Sequence, residues 1–312
     1  MIKSISLALA AVLLSASTFA ARGEVAVVAS IKPVHSLVSV VMEGVSKPGI
    51  IVDGGGSPHS FALKPSQARM LQSAQIVFWV GHSLEGFLEK PLETISANAK
   101  LVELVEAPGL QRLDVREGGA FEAHEHDADA HGDDHEGDDA FDAHVWLDPA
   151  NAIAMVDAIQ DALGAVDPAN AAAYEANAGK LVGRLEQLVV EVTAELEPVR
   201  DKGFVVFHDA YQYFENRFGV RAVGSLTVSP EVMPGAERVD EIRARVRDLG
   251  VYCVFAEPQF EPRLISTVIE GTGARAGFLD PLGSDLSNGP DLYFELIRNM
   301  GKSIRSCLSG DS

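Results

Sequence analysis

The chain has 312 residues, 47% of them hydrophobic, and a formal net charge of −20. That is ample apolar material for more than one core, and the acidic balance excludes nucleic acid and anionic membrane surfaces as partners. Beyond the first residues no stretch approaches the roughly 18 continuous apolar residues of a spanning helix, so a soluble mature chain is expected.

In chain order, Lys3, "ISLALAAVLL" and "STFAA" read as a positive n-region, an apolar h-region and a small-residue cleavage site near Ala20 or Ala21. Residues 1–21 are therefore expected to be a signal peptide and the mature protein to be exported. No cysteine lies near the cleavage site to carry a lipid anchor.

Short β-branched runs then alternate with helical patterns, the signature of βα units and parallel sheets. The first four are "VAVVAS" (25–30), "GIIV" (49–52), "IVFWV" (76–80) and "LVEL" (101–104). Four more follow late in the chain: "GFVVF" (203–207), "AVGSL" (222–226), "YCVFA" (252–256) and "ARAGFL" (274–279). Between the two sets, "DPANAAAYEANAGKLVGRLEQLVVEVTAELEPVRD" (167–201) predicts one helix, with Asp167 as N-cap, Pro168 at the first helical position and Pro198 at its end. At 1.5 Å per residue it would be a rod of about 45 Å. The expected fold class is α/β, with two similar lobes, each a roughly four-stranded, mostly parallel sheet flanked by helices, joined by one long rigid helix. The expected boundaries are 24–166 for the N-terminal lobe, 167–200 for the linker helix and 201–312 for the C-terminal lobe.

A polar tract interrupts the first lobe. From Phe121 to Asp142 it holds ten carboxylates, with His124, His126, His131 and His135 and no Lys or Arg. Such a segment cannot bury enough apolar surface to offset its ordering entropy, so a disordered loop over about 117–141 is expected. It reads either as a solvated acidic loop or as a low-affinity metal-collecting arm.

The remaining histidines lie beside folded segments. His59, in "VDGGGSPHSFALKP", leaves the strand "GIIV" on a glycine-rich loop; His144, in "DAHVWLDP", precedes an Asp-Pro helix start; His208 ends the strand "GFVVFH". Asp280, in "GFLDPLG", ends another apolar strand. Singly, each reads equally as a satisfied strand-end residue or a turn cap. Together they are three imidazoles and a carboxylate drawn from both halves, of which His59, His208 and Asp280 follow strand runs, where open α/β sheets bind ligands. His35 and His82 read as a surface or supporting residue and a polar turn residue, and Glu85 and Lys64 as serving helix starts or solvation. Cys253 and Cys307 are either a disulfide, tying a buried strand to the C-terminal helix, or two buried thiols. Neither reads as a metal ligand, since they lie 54 residues apart.

The segments "PHSFALKPSQARMLQSAQIVFWVG", "AHVWLDPANA", "VVFHDAYQYFENRFG" and "LDPLG", in that order around a long mid-chain helix, resemble the metal-binding proteins of bacterial ABC importers. More narrowly they resemble the periplasmic zinc-uptake members. The acidic His-rich insert before the second histidine and the late cysteine pair match those members too. The resemblance implies a non-enzymatic protein of the periplasm that holds Zn2+ in the cleft between lobes through His59, His144 and His208, with Asp280 at or beside the site. It further implies a monomer that delivers its ion to an inner-membrane ABC zinc permease, with a periplasmic zinc chaperone as a further candidate partner. Manganese relatives carry a carboxylate where this chain has His208, and imidazole suits zinc better than manganese. Some zinc members have a glutamate just before the first histidine; Pro58 stands there in this chain, which leaves the fourth position between Asp280 and water.

Two alternatives stand beside this reading: a manganese or other divalent-metal member of the same family, and a secreted zinc hydrolase with three histidines and an open position. Against the hydrolase, no HExxH occurs and no glutamate in the ligand motifs stands out as a general base. Because histidine must be neutral to ligate, metal release is expected as pH falls below about 6.5.

Overall fold

The computed structural model describes residues 24–116, 121, 141–227, 234–258 and 262–310. The signal peptide expected at 1–21 and His124, His126, His131 and His135 lie outside the described residues.

The first sheet contains β1 (Val27–Ile31), β2 (Gly49–Val52), β3 (Ile76–Trp79) and β4 (Lys100–Glu103), all parallel, in the order β2-β1-β3-β4. Helices α1 (Lys32–Val41), α2 (Pro65–Ser73), α3 (His82–Glu85) and α4 (Glu89–Thr94) connect its strands, and α5 (Pro149–Val166) and α6 (Ala171–Leu196) follow. The second sheet contains β5 (Gly203–His208), β6 (Arg221–Thr227), β7 (Cys253–Ala256) and β8 (Arg275–Phe278), again all parallel, in the order β6-β5-β7-β8. Helices α7 (Gln212–Phe218), α8 (Ala236–Asp248) and α9 (Pro262–Ile269) connect them, and α10 (Leu292–Ser309) closes the chain. Central strands β1 and β3 are buried on both faces, which is why their sequences are apolar runs without alternation. Local signals set the ends: Asp148 accepts from Ala150 N (2.8 Å) as the N-cap of α5 with Pro149 after it, and Gly219 takes φ +70° to end α7 against the Arg200 guanidinium.

The mid-chain helix differs from the sequence expectation at its start. Asp167 terminates α5, its N–H donating to Leu163 O (2.8 Å), and its carboxylate accepts from Asn170 Nδ2 (2.6 Å) and Tyr174 Oη (2.9 Å). A turn therefore spends the Asp-Pro signal, and α6 begins at Ala171, with Asn170 O accepting from Tyr174 N. Its 26 residues make a rod of about 39 Å. Tyr174, Ala178, Leu181, Leu185, Leu188, Val192 and Leu196 form one buried stripe at helical spacing.

That stripe belongs to a core that runs through both lobes, taking in β1, β3, α1, α5, α6 and α10 and one face of the second sheet (Phe204, Val206, Cys253, Phe255). The other face of the second sheet, with Val205, Phe207 and Val254, has a separate small core under α8 and α9. Cys253 and Cys307 are bonded, with their Cα atoms 6.1 Å apart, and fasten β7 to α10. Polar bonds also cross the lobes. Lys32 Nζ donates to Ser284 O (2.9 Å) and Leu286 O (2.7 Å), Trp146 Nε1 to Pro281 O (2.8 Å), and Tyr293 Oη to Trp146 O (2.6 Å). No described helix is long and apolar enough to cross a membrane.

Candidate metal centre

Three segments that are remote in sequence meet at the carboxyl edges of the two sheets. His208 is the last residue of β5, the strand flanked by β6 and β7, and is almost wholly buried. His144 precedes the single 3-10 turn Val145–Leu147, whose three side chains are completely buried, so its backbone is held by core packing. His59 stands seven residues past the end of β2, beyond Gly54–Gly56; its N–H donates to Ser57 Oγ (3.3 Å), and its side chain is only partly buried.

The ring nitrogens converge. His144 Nε2 lies 3.3 Å from His59 Nε2 and 3.4 Å from His208 Nε2, and the ligating atoms of all three residues lie within 4.8 Å of one another. Among the described residues this is the one cluster of three or more His, Cys, Asp or Glu side chains suited to a metal ion. Four-coordinate zinc with nitrogen ligands near 2.0–2.1 Å requires tetrahedral nitrogen separations of about 3.3–3.4 Å. The two measured separations meet that requirement.

Two carboxylates sit behind the rings. His144 Nδ1 donates to Asp142 Oδ1 (2.7 Å), which also accepts from His144 N (3.0 Å); His208 Nδ1 donates to Glu257 Oε1 (2.6 Å). In the neutral rings, with both Nδ1 protons committed, both Nε2 atoms carry lone pairs and face each other at 3.4 Å, an arrangement suited to a shared cation. Burial lowers the pKa of His59 well below its usual value, helped by the neighbouring His144 and His208. Burial also opposes charge on His208, but Glu257 outweighs it by charge and hydrogen bond, and the net shift is upward. The buried Tyr211 phenol stays neutral through burial and the nearby carboxylates of Glu257 and Asp280.

Asp280 lies outside the converging group. Its Oδ1 accepts from Leu282 N and Gly283 N (both 3.0 Å), and its Oδ2 accepts from Ser284 N, so the carboxylate caps its own turn. His35 is buried against Pro48 O (3.2 Å) and His82 pairs with Glu103 (3.6 Å), both outside the cluster. Lys64 forms a capping box with Gln67 at the start of α2. Glu85 does serve a helix start, accepting from Val80 N (2.8 Å) and Gly81 N (3.1 Å), but it is fully buried rather than solvated, and burial raises its pKa to about 7. Sequence reasoning missed Asp142 and Glu257. Both left a signal: Asp142 lies two residues before a candidate ligand, and Glu257 ends the apolar run of β7 as His208 ends that of β5.

Two four-stranded parallel sheets on a shared helical spine, with a three-histidine cluster at their facing edges, define a bilobal metal-binding protein. The description "Zinc-uptake complex component A periplasmic" (ZnuA) matches residues 27–307. The chain belongs to that family. It is 50% identical over 305 residues to the "High-affinity zinc uptake system protein ZnuA" of Brucella suis, covering 91% of each chain, and 38% identical over 308 residues to the protein of the same name from Yersinia pestis, covering 96% of each. Among solved structures, the laminin-binding adhesin Lmb of Streptococcus agalactiae superposes with a TM-score of 0.74 at 26% identity, over 91% of this chain and 99% of that one. A crystal structure of ZnuA gives a TM-score of 0.74 at 22% identity over 90% and 98%, which speaks to the fold.

Proposed function

We propose that this protein captures Zn2+ in the periplasm and hands it to an ABC-type importer in the inner membrane, acting as a binding protein and not as an enzyme. The observation that carries this reading is the convergence of His59, His144 and His208, with two nitrogen separations suited to tetrahedral zinc and the ligating atoms of all three residues within 4.8 Å of one another. Membership of the zinc-uptake family supports the same cargo. An all-nitrogen donor set favours zinc over manganese, which prefers oxygen-rich sites. We assign the fourth position to water in preference to Asp280, because three backbone N–H groups already occupy that carboxylate. The four insert histidines are accessory, weak sites in this scheme.

Calorimetric titration of the metal-free chain with Zn2+ and with Mn2+ tests it. One tight zinc site is expected, abolished by His144→Ala or His208→Ala, retained when residues 122–139 are deleted, and changed by no more than about threefold in Asp280→Asn. Loss of the tight site on deleting 122–139 would instead make the insert the binder.

A further inference from the structure

The three histidines are not held alike. His144 and His208 are both buried, both seated on core-packed backbone, and both backed on Nδ1 by a buried carboxylate at 2.6–2.7 Å. Asp142 and Glu257 are themselves 5% and 2% exposed, and they come from different elements, the strand-like segment before the 3-10 turn and the residue following β7. Among the described residues, no carboxylate is bonded to the His59 ring as Asp142 and Glu257 are to the other two. Among the described residues its ring makes one polar contact, with His144 Nε2, and its backbone follows the stretch that includes Gly54, Gly55 and Gly56. Added Cβ atoms at Gly54 and Gly55 would meet nothing within 4 Å, so the arm is open at its first two glycines, whereas one at Gly56 would meet the Phe61 ring at 3.0 Å.

We propose that Asp142 and Glu257 are positioning residues that preorganise His144 and His208 as a rigid two-nitrogen half-site, and that His59 is the last ligand to join the ion and the first to leave. The proposal rests on the three-histidine reading above. The physical ground is the difference in what each ligand must give up to bind. A ring with its Nδ1 proton already bonded has its tautomer and orientation set, and loses little freedom on meeting the ion. His59 has to be ordered by the ion itself. An ion arriving at the cleft is therefore captured by the half-site, and the glycine-rich arm closes on it. Release into a transporter then requires displacement of one compliant arm, with both lobes and the half-site left in place.

The test uses the full mature chain, zinc ion as the ligand and a chromophoric zinc chelator as competitor, with association and dissociation rates followed by stopped flow. In His59→Ala the association rate is expected to stay within about threefold of the parent while dissociation accelerates, whereas His144→Ala and His208→Ala slow association and weaken binding by roughly a further tenfold or more. Asp142→Asn and Glu257→Gln, which nearly preserve shape, are expected to weaken zinc binding about 10–100-fold. Their metal-free melting curves separate this loss from a folding defect. Histidine ring nitrogen resonances of the metal-free protein give an independent signature: His144 and His208 in the Nδ1–H tautomer, lost at His208 in Glu257→Ala. Equal losses of rate and affinity across the three histidine variants would overturn the order of binding while leaving the ligand set intact. Asp142→Asn and Glu257→Gln binding within about twofold of the parent would overturn the positioning roles. Tight binding retained in all three histidine variants would instead defeat the ligand reading beneath both.

Discussion

The two sheets have the same strand order, yet they present their ligands differently. In the C-terminal sheet the candidate ligand is the terminal residue of β5 itself, with Glu257, the residue after the neighbouring strand β7, bonded to it. In the N-terminal sheet the candidate ligand His59 is carried seven residues beyond an edge strand by a glycine-rich arm. One topology thus yields a stiff half and a compliant half. The difference comes from chain length past the strand and from a charged partner behind the ring, neither of which the strand order dictates. The large core and α6 belong to both lobes, so the proposed compliance is placed in the loops and not between the lobes.

The shared spine is the first place to break this contrast. Leu185→Ala, fully buried on α6, is expected to destabilise the chain by about 4 kcal/mol, and urea unfolding should remain a single transition by fluorescence and circular dichroism. Two separated transitions would mean that the lobes fold independently. Next in size is the strut beside the site, where Arg116 bonds both Asp209 and Glu215 across the cleft. Burial raises the pKa of Glu215, and Arg116 works against that rise. Arg116→Met leaves two acids unpaired and should cost about 3 kcal/mol in urea, less if Glu215 takes up a proton.

Glu85 places a pH dependence in the N-terminal lobe alone. Its folded pKa of about 7 lies above the ordinary 4.5, so the folded state keeps a proton that the unfolded chain releases. The stabilisation is full below about pH 4.5 and is lost as pH rises through about 7, a change on the order of 2–3 kcal/mol. Unfolding free energies of the parent minus those of Glu85→Gln, measured from pH 4.5 to 7.5, should fall by that amount; a flat difference would refute the assignment. The smallest effect belongs to the exposed pair Arg184–Asp291 between α6 and the start of α10. Arg184→Ala should cost about 0.2–1 kcal/mol in the same assay, part of it from lost stacking on Phe294.

Much of this was legible in the chain. All eight strands fall within two residues of the runs read from sequence; the central strands β1, β3, β5 and β7 are legible because buried parallel strands are continuous apolar segments, and the exposed edge strands β4 and β8 by their place in the βα alternation. His59 and His208 stood out because each follows a strand run, and His144 because it leads into an Asp-Pro helix start. The start of α6 was misread because Asp-Pro serves both to open a helix and to turn the chain, and only Tyr174 and Asn170 reaching back to Asp167 decide which. Asp280 could not be sorted from sequence either, since a carboxylate at a strand end caps a turn and ligates a metal with the same atoms.

By itself the sequence determined the class of fold, the strand positions and which histidines were worth weighing, since these depend on local periodicity, composition and punctuation. The tertiary structure decided that three imidazoles meet within reach of one ion, that Asp142 and Glu257 stand behind two of them, and that Glu85 is sealed from water. Those are distances between residues far apart in the chain, set by how two sheets pack on a common helix, and no local pattern carries them.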